Sequence, residues 1–178
     1  MRLIILCLMK RFFSYIVLTA AVAVMLISGC DNIFNPKIDN TTPVSILTDQ
    51  TTIDGFFQNF KYSYTFKDTS VYSNLLTPDF LFTYRDYNLG YDVTWDKPTE
   101  MKTTNGLFQN SQKLDLLWNN IIVQTGDSLS VNVKRSFNLT ITFNPSDIIR
   151  LNGFADLTLI RPSASGKWRI SKWRDETF

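Results

Sequence analysis

An aromatic stripe at helical spacing, followed by long runs of two-residue alternation, limits what this chain can fold into. Ile53, Phe56, Phe57, Phe60 and Tyr64 recur at the helical period, with Gln58 and Lys61 on another face. Thr51 or Thr52 supplies an N-cap and Asp54 lies in the first turn, so a helix is expected to about Phe66. Asp68 is placed to cap a second, short helix over 70–76, which Pro78 ends. Strands follow. Residues 80–84 alternate and are aromatic. Residues 86–96 read as loop around Asn88-Leu89-Gly90, and Pro98 starts a short helix toward Phe108. Residues 113–123 form a strand with Leu114, Leu116 and Trp118 on one face, and Gly126-Asp127 turns the chain. Leu129, Val131, Val133 and Arg135 alternate, and Phe137, Leu139, Ile141 and Phe143 carry the pattern to Pro145. That run is too long for one flat strand, so a bend or bulge is expected near Arg135. Asn152-Gly153 is a turn signal. Ala155, Leu157 and Leu159 alternate beyond it, and residues 162–166 close a hairpin onto 168–173. Helices first and strands after is the α+β pattern, with N-terminal helices packed into one face of an antiparallel sheet.

The N-terminal part carries a different signal. Lys10 and Arg11 precede an apolar run over 12–27, softened by Ser14, Tyr15 and Thr19 and ending in Ile27-Ser28-Gly29-Cys30. A basic start, a short apolar stretch and small residues at the cut define a secretory signal. A transmembrane helix fits less well, because a span takes about 20 apolar residues. The cysteine after Ser28-Gly29 resembles the box of bacterial lipoproteins, which implies cleavage between Gly29 and Cys30 and acylation of the Cys30 thiol. Met9 followed by Lys10-Arg11 looks like a conventional signal start, so Met9 is an alternative initiator. One acyl chain holds a membrane weakly, and two or three hold it firmly. The expected location is the cell envelope, on the periplasmic face of the inner or outer membrane. Asp31 resembles an inner-membrane retention signal of enteric bacteria, a rule tied to that lineage. Pro36 and Pro43 break the polar stretch that follows. The expected domains are a signal peptide over 1–29, the lipidated Cys30 with a tether over 30–50, and one folded domain over 51–178.

Composition narrows the chemistry. The chain has 18 basic and 16 acidic residues, but Arg2, Lys10 and Arg11 fall in the signal, which leaves the part from Cys30 at net −1. That balance gives no case for nucleic-acid binding. Cys7 lies in the signal and Cys30 is read as lipidated, so the folded part has no thiol for a disulfide or a metal. There is no histidine, which removes Ser-His-Asp and Cys-His arrangements and the usual zinc sites. Asp127 and Asp147 lack calcium-loop spacing. No cofactor or metal is expected.

Three blocks carry a family resemblance. They are the aromatic helix Phe56-Phe57-Gln58-Asn59-Phe60-Lys61-Tyr62-Ser63-Tyr64 leading to Lys67-Asp68, the segment from Tyr72 through Thr77-Pro78 to Phe82, and the hairpin joining Gly153 to Arg161 with Lys167 to Asp175. Together they resemble the nuclear transport factor 2-like superfamily, which includes ketosteroid isomerase and the SnoaL-like cyclases. The resemblance implies a strongly curved sheet wrapped around the long helix, with a mouth that forms an apolar pocket. It also implies the option of a dimer through the sheet face. Enzymes of the superfamily place an Asp or His in the pocket as base. No position here matches those motifs, so no catalytic residue is carried over.

Candidate site residues follow from that geometry. Asp86, after the first strand, could pair with Tyr84 as base and donor, or be a solvated loop carboxylate paired with Arg85 or a lysine. Trp95 is a candidate ligand contact. Asp96 is read as a helix cap and Glu100 as a first-turn acid. Trp118 and Asp156 complete the candidate pocket. Lys134, Arg135, Arg161 and Arg174 offer an anion site, or cross-strand ion pairs on solvated faces. The leading functional reading is an envelope lipoprotein that binds a small apolar ligand or a protein partner without catalysis. An isomerase- or cyclase-like enzyme using a carboxylate such as Asp86 or Asp156 is the rival reading, and a structural dimerisation module is the third. The anchor reading predicts that Cys30→Ser moves the protein from the membrane fraction to the soluble fraction on ultracentrifugation; a variant that still pellets with membranes refutes it.

Overall fold

The computed structural model describes residues 46–177. The signal segment, Cys30 and the tether up to residue 45 lie outside the described residues. Three helices and six strands follow one another: α1 (Ile53–Thr65), α2 (Thr69–Leu75), β1 (Leu76–Asp86), β2 (Tyr91–Asp96), α3 (Lys97–Asn110), β3 (Lys113–Gly126), β4 (Ser130–Asn144), β5 (Asp147–Ile160) and β6 (Arg169–Thr177). The strands form one sheet in the order β2-β1-β6-β5-β4-β3, unclosed because β2 and β3 stand at its two edges. Antiparallel pairing runs through the sheet except at β1–β6, which is parallel.

Side-chain caps set the helix starts. Thr52 Oγ1 accepts from Gly55 N at 3.0 Å. Asp68 Oδ1 accepts from Ser70 N and Val71 N, each at 2.9 Å. Asp96 Oδ1 accepts from Thr99 N at 3.1 Å, with Pro98 in the first turn of α3. α1 turns Phe56, Phe57, Phe60 and Tyr64 inward. They meet Phe82, Leu114, Leu116, Val133, Phe137, Leu157 and Trp173 from the sheet, and Tyr72 and Leu75 from α2. α3 lies against β1 and β2, with Glu100, Thr104 and Phe108 on its buried side.

The segment ahead of α1 is docked on the domain. Asn59, 4% exposed, accepts from Thr48 N at 2.8 Å through Oδ1 and donates through Nδ2 to Thr48 O and Gln50 Oε1, each at 3.1 Å. Gln50 Nε2 donates to Trp168 O at 2.6 Å, and Trp168 N donates to Gln50 O at 3.0 Å.

Several expectations need correction. Residues 91–96 are strand β2, not loop; the ladder with β1 is reinforced by the Thr83–Thr94 hydroxyl pair at 2.9 Å and by Arg85 on Asp92 at 3.2 Å. Tyr91, Val93 and Trp95 do alternate with Asp92, Thr94 and Asp96, but the run is only six residues and lies between the Asn88-Leu89-Gly90 turn signal and the Asp96 helix cap. Asn152-Gly153 lies within β5, paired with Asn138 and Phe137; the reversal is earlier, where Asn144 Oδ1 accepts from Ser146 N at 3.0 Å. β4 keeps its register with β5 past Arg135, and the irregularity falls on β3, between Trp118 and Val123 opposite Arg135 and Lys134. β3 carries two extra residues there, because it is a free edge whereas β4 is held on both sides. Pro78 does not end α2; it sits in β1, where the register with β6 jumps from Leu76–Ile170 to Leu81–Lys172.

The β3–β4 reversal depends on glycine. Gly126 has φ +134°, and a Cβ there would lie 2.2 Å from Ser130 O. Gly106, inside α3, has nothing within 4 Å of such an atom. Gly126→Ala is therefore expected to lower unfolding stability by at least about 2 kcal/mol, whereas Gly106→Ala raises it by about 0.5–1 kcal/mol. Denaturant midpoints of the two variants should move in opposite directions.

Candidate functional site

The curved sheet and the helices leave a cavity of about 300 Å³, bordered by Phe60, Phe82, Trp95, Leu116, Trp118 and Trp173 among others. Its wall is a chain of ring contacts. Trp95 stacks on Phe82 at 4.6 Å, Phe82 meets Trp173 edge-on at 5.2 Å, Trp173 meets Phe60 at 5.6 Å, and Phe60 meets Trp118 at 5.2 Å. Trp118 continues to Phe137 at 6.0 Å. Edge-to-face rings each add about 0.5–1.5 kcal/mol beyond their burial, so this wall is stiff. The Trp118 and Trp173 indole N–H groups are buried and have no hydrogen-bond partner among the described residues.

One carboxylate stands out at the α3 side. Glu100 is 5% exposed and borders the cavity. Its Oε1 accepts from Tyr72 OH at 2.6 Å and from Thr104 Oγ1 at 2.9 Å, and its Oε2 accepts from Trp95 Nε1 at 2.7 Å. A buried carboxylate is tolerated only with such donors. Burial, and then the Glu100 charge, push the Tyr64 phenol well above its ordinary value of 10.0. Burial likewise raises Tyr72, with Tyr64 and Glu100 adding to it. Both phenols stay protonated, and Tyr72 stays a donor. Asp175, on β6, also borders the cavity.

Trp95 and Trp118 both line the cavity, one through its hydrogen bond to Glu100 and the other through its packing on Phe60. Tyr84 lies behind Trp95, with ring centroids 5.4 Å apart, and borders a separate depression with Arg85, Tyr87 and Arg174. Asp86 is not in the cavity: its Oδ1 accepts from Asn88 N and Leu89 N, each at 2.9 Å, and holds the β1–β2 turn. Asp156 is on the other face of β5 from the buried Ala155 and Leu157, where it accepts from Asn132 Nδ2 at 2.7 Å. The basic candidates are separately engaged. Lys134 pairs with Glu176 at 2.5 Å and Arg174 with Asp92 at 2.8 Å, while Arg135 lies over the Phe57 ring at 4.5 Å. Among the described residues no cluster of acidic side chains converges as a metal site.

Glu100 was read only as a first-turn acid, and Asp175 and Trp173 were not singled out. The readable signal for Glu100 is its place in the series Glu100, Thr104, Phe108, one face of α3.

Among solved structures, the chain is similar to a conserved protein from Planctomyces limnophilus (TM-score 0.63, 14% identity, 73% of this chain and 96% of that one). It is also similar to a candidate scytalone dehydratase from Novosphingobium aromaticivorans (0.61, 15%, 71% and 81%) and to LinA (0.55, 12%, 69% and 81%). The fold is nuclear transport factor 2-like. At these identities the likeness carries the fold alone. No protein-family model and no curated protein matches the sequence. Within a nuclear transport factor 2-like cone the cavity occupies the space between the helices and the concave sheet, and here Glu100 is the acid most deeply set in it.

The two buried phenols set an alkaline limit. Their pKa values are raised on folding, so the unfolded chain loses these protons first, and stability falls as pH rises past about 10. Tyr72→Phe should cost about 1–3 kcal/mol at neutral pH through the lost Glu100 partner, yet show a shallower decline above pH 10. Melting temperature against pH checks both; an unchanged alkaline slope refutes the assignment.

Proposed function

We propose that the protein is a lipid-anchored envelope protein that binds a small, ring-bearing apolar molecule in the aromatic cavity without transforming it. The carrying observation is the way Glu100 is held: three donors occupy its two oxygens inside an otherwise largely aromatic wall. A general base needs a lone pair directed at substrate, and here Tyr72, Thr104 and Trp95 take most of that capacity. The volume, about 300 Å³, lies at the small end of ligand pockets, which run from about 300 Å³ upward. A one- or two-ring molecule matches it. A ring oxygen would suit the unpartnered indole donors of Trp118 and Trp173.

One observation favours an acid–base enzyme as a second reading. Asp175, Glu100 and the protonated Tyr64 border the same apolar volume. A candidate dehydratase stands among the structural neighbours.

2-Naphthol is a direct probe, because three of the four tryptophans line the cavity. Saturable quenching of tryptophan fluorescence is expected, weakened at least tenfold, or about 1.4 kcal/mol, by Leu116→Trp, which fills the space. Asp175→Asn should leave naphthol binding within about threefold, since the ring oxygen is assigned to the indole donors of Trp118 and Trp173 and not to this half-buried carboxylate. Absence of saturable binding to the unaltered protein would sink the ligand reading.

A further inference from the structure

A second pocket, of about 470 Å³, shares no residue with the aromatic cavity and is lined by Thr77, Ile160, Arg161, Pro162, Lys167 and Arg169. The register jump in β1 opens it. Leu76 pairs with Ile170 and Leu81 with Lys172, so Thr77 to Phe80 bulge away from β6. Thr77 is 5% exposed, and its Oγ1 is buried with no hydrogen-bond partner among the described residues. A buried hydroxyl left unpaired costs free energy, so its position on the pocket wall calls for a polar occupant.

The wall is strongly positive. No ion pair among the described residues engages Arg161, Lys167 or Arg169. Lys97 donates to Ser73 O at 2.9 Å and Leu76 O at 3.1 Å close by, and its ammonium is pushed down by burial and then by the Arg169 charge. The acid that feels Lys167 is Asp49, but the Thr51 N–H and hydroxyl are the larger causes that hold its carboxyl low. Arg161 is fixed in place: Nε donates to Ser128 O at 2.6 Å, Nη1 to Thr51 O at 3.1 Å, and the plane covers Trp168 at 4.2 Å. Its remaining N–H donors are preorganised rather than mobile.

We propose that this pocket binds a phosphate-type anion, with Arg161 and Arg169 as fork donors, Lys167 as a point charge and Thr77 Oγ1 as a buried donor. Guanidinium and ammonium groups with a hydroxyl are the donor set that phosphate oxygens accept from. Sulfate-sized or phosphate-sized groups fill only part of the volume, so the anion can carry an organic substituent. The pocket also adjoins Gln50 and Thr51, where the N-terminal segment meets the domain, through the Arg161–Thr51 bond. The phosphate can therefore come from solution or from the headgroup of an anionic lipid.

The test uses the full chain reconstituted in nanodiscs, read by the rate at which acetic anhydride labels Lys167, with exposed Lys102 as internal reference. Three arms are compared: phosphatidylcholine discs alone, the same discs with inorganic phosphate, and discs of equal parts phosphatidylcholine and phosphatidylglycerol without added phosphate. Slowing of Lys167 by about fivefold with inorganic phosphate assigns a soluble anion. The same slowing only in phosphatidylglycerol discs assigns a lipid headgroup. Arg169→Gln should remove most of the protection in whichever arm shows it, and Thr77→Val should weaken it. Equal labelling of Lys167 in all three arms overturns the proposal. So does protection that both variants leave unchanged, because bulk charge alone would then explain it.

Discussion

Phe60 is the contact on which the rest of this fold depends. It is 1% exposed and meets Phe56, Tyr64, Tyr72, Trp118 and Trp173, with ring centroids between 5.2 and 6.3 Å. Those partners belong to α1 itself, to α2, to β3 at one edge of the sheet and to β6 near its middle. A single helical side chain thus ties together strands that share no hydrogen bond with each other. The domain has no disulfide to hold that arrangement, so burial and ring geometry carry it.

The cavity is a consequence of the same geometry. A sheet that wraps a helix leaves space where the helix side chains fall short of the strands, and α3 closes that space with a polar face. Glu100 is the most buried acid on the largely aromatic wall, and it is stabilised by groups from three elements: Tyr72 of α2, Trp95 of β2 and Thr104 of α3. The carboxylate therefore works as a junction that fixes β2 and α3 against the core. A buried charge with directional partners specifies one arrangement more sharply than another leucine would, at some expense in desolvation.

Much of this was legible in residue patterns. The helical spacing of Phe56, Phe60 and Tyr64, and the caps at Thr52, Asp68 and Asp96, are local physics and were readable as such. The alternation of β4, β5 and β6 was readable because one side of each strand is buried. β2 is harder to read: Tyr91, Val93 and Trp95 alternate, but the run is short and lies between a turn signal and a helix cap, so its strand character rests on the ladder with β1. Asn152-Gly153 misled because an Asn-Gly pair reverses a chain only where the ladder allows it, and here both residues are paired across to β4. At the site, Trp95 and Trp118 could be picked out as large rings next to apolar strands. For Glu100 the four-residue series with Thr104 and Phe108 marks the buried side of α3, but its meeting with Tyr72 and Trp95, which come from other elements, is encoded by no spacing along the chain. Asp86 and Asp156 looked suitable only as carboxylates near strands; which side of the sheet they occupy is a question of register.

The docking of Gln50 on Trp168 has a mechanical side. Two hydrogen bonds join them, one in each direction, and Asn59 grips the residues just before. Tension applied along the chain from its N-terminal side would reach this clasp before it reached α1. Such bonds loaded together share the force, whereas bonds loaded in succession would open one at a time like a zip. The clasp is thus a strain relief, and jolts to the leading segment would be absorbed there rather than in the packing around Phe60.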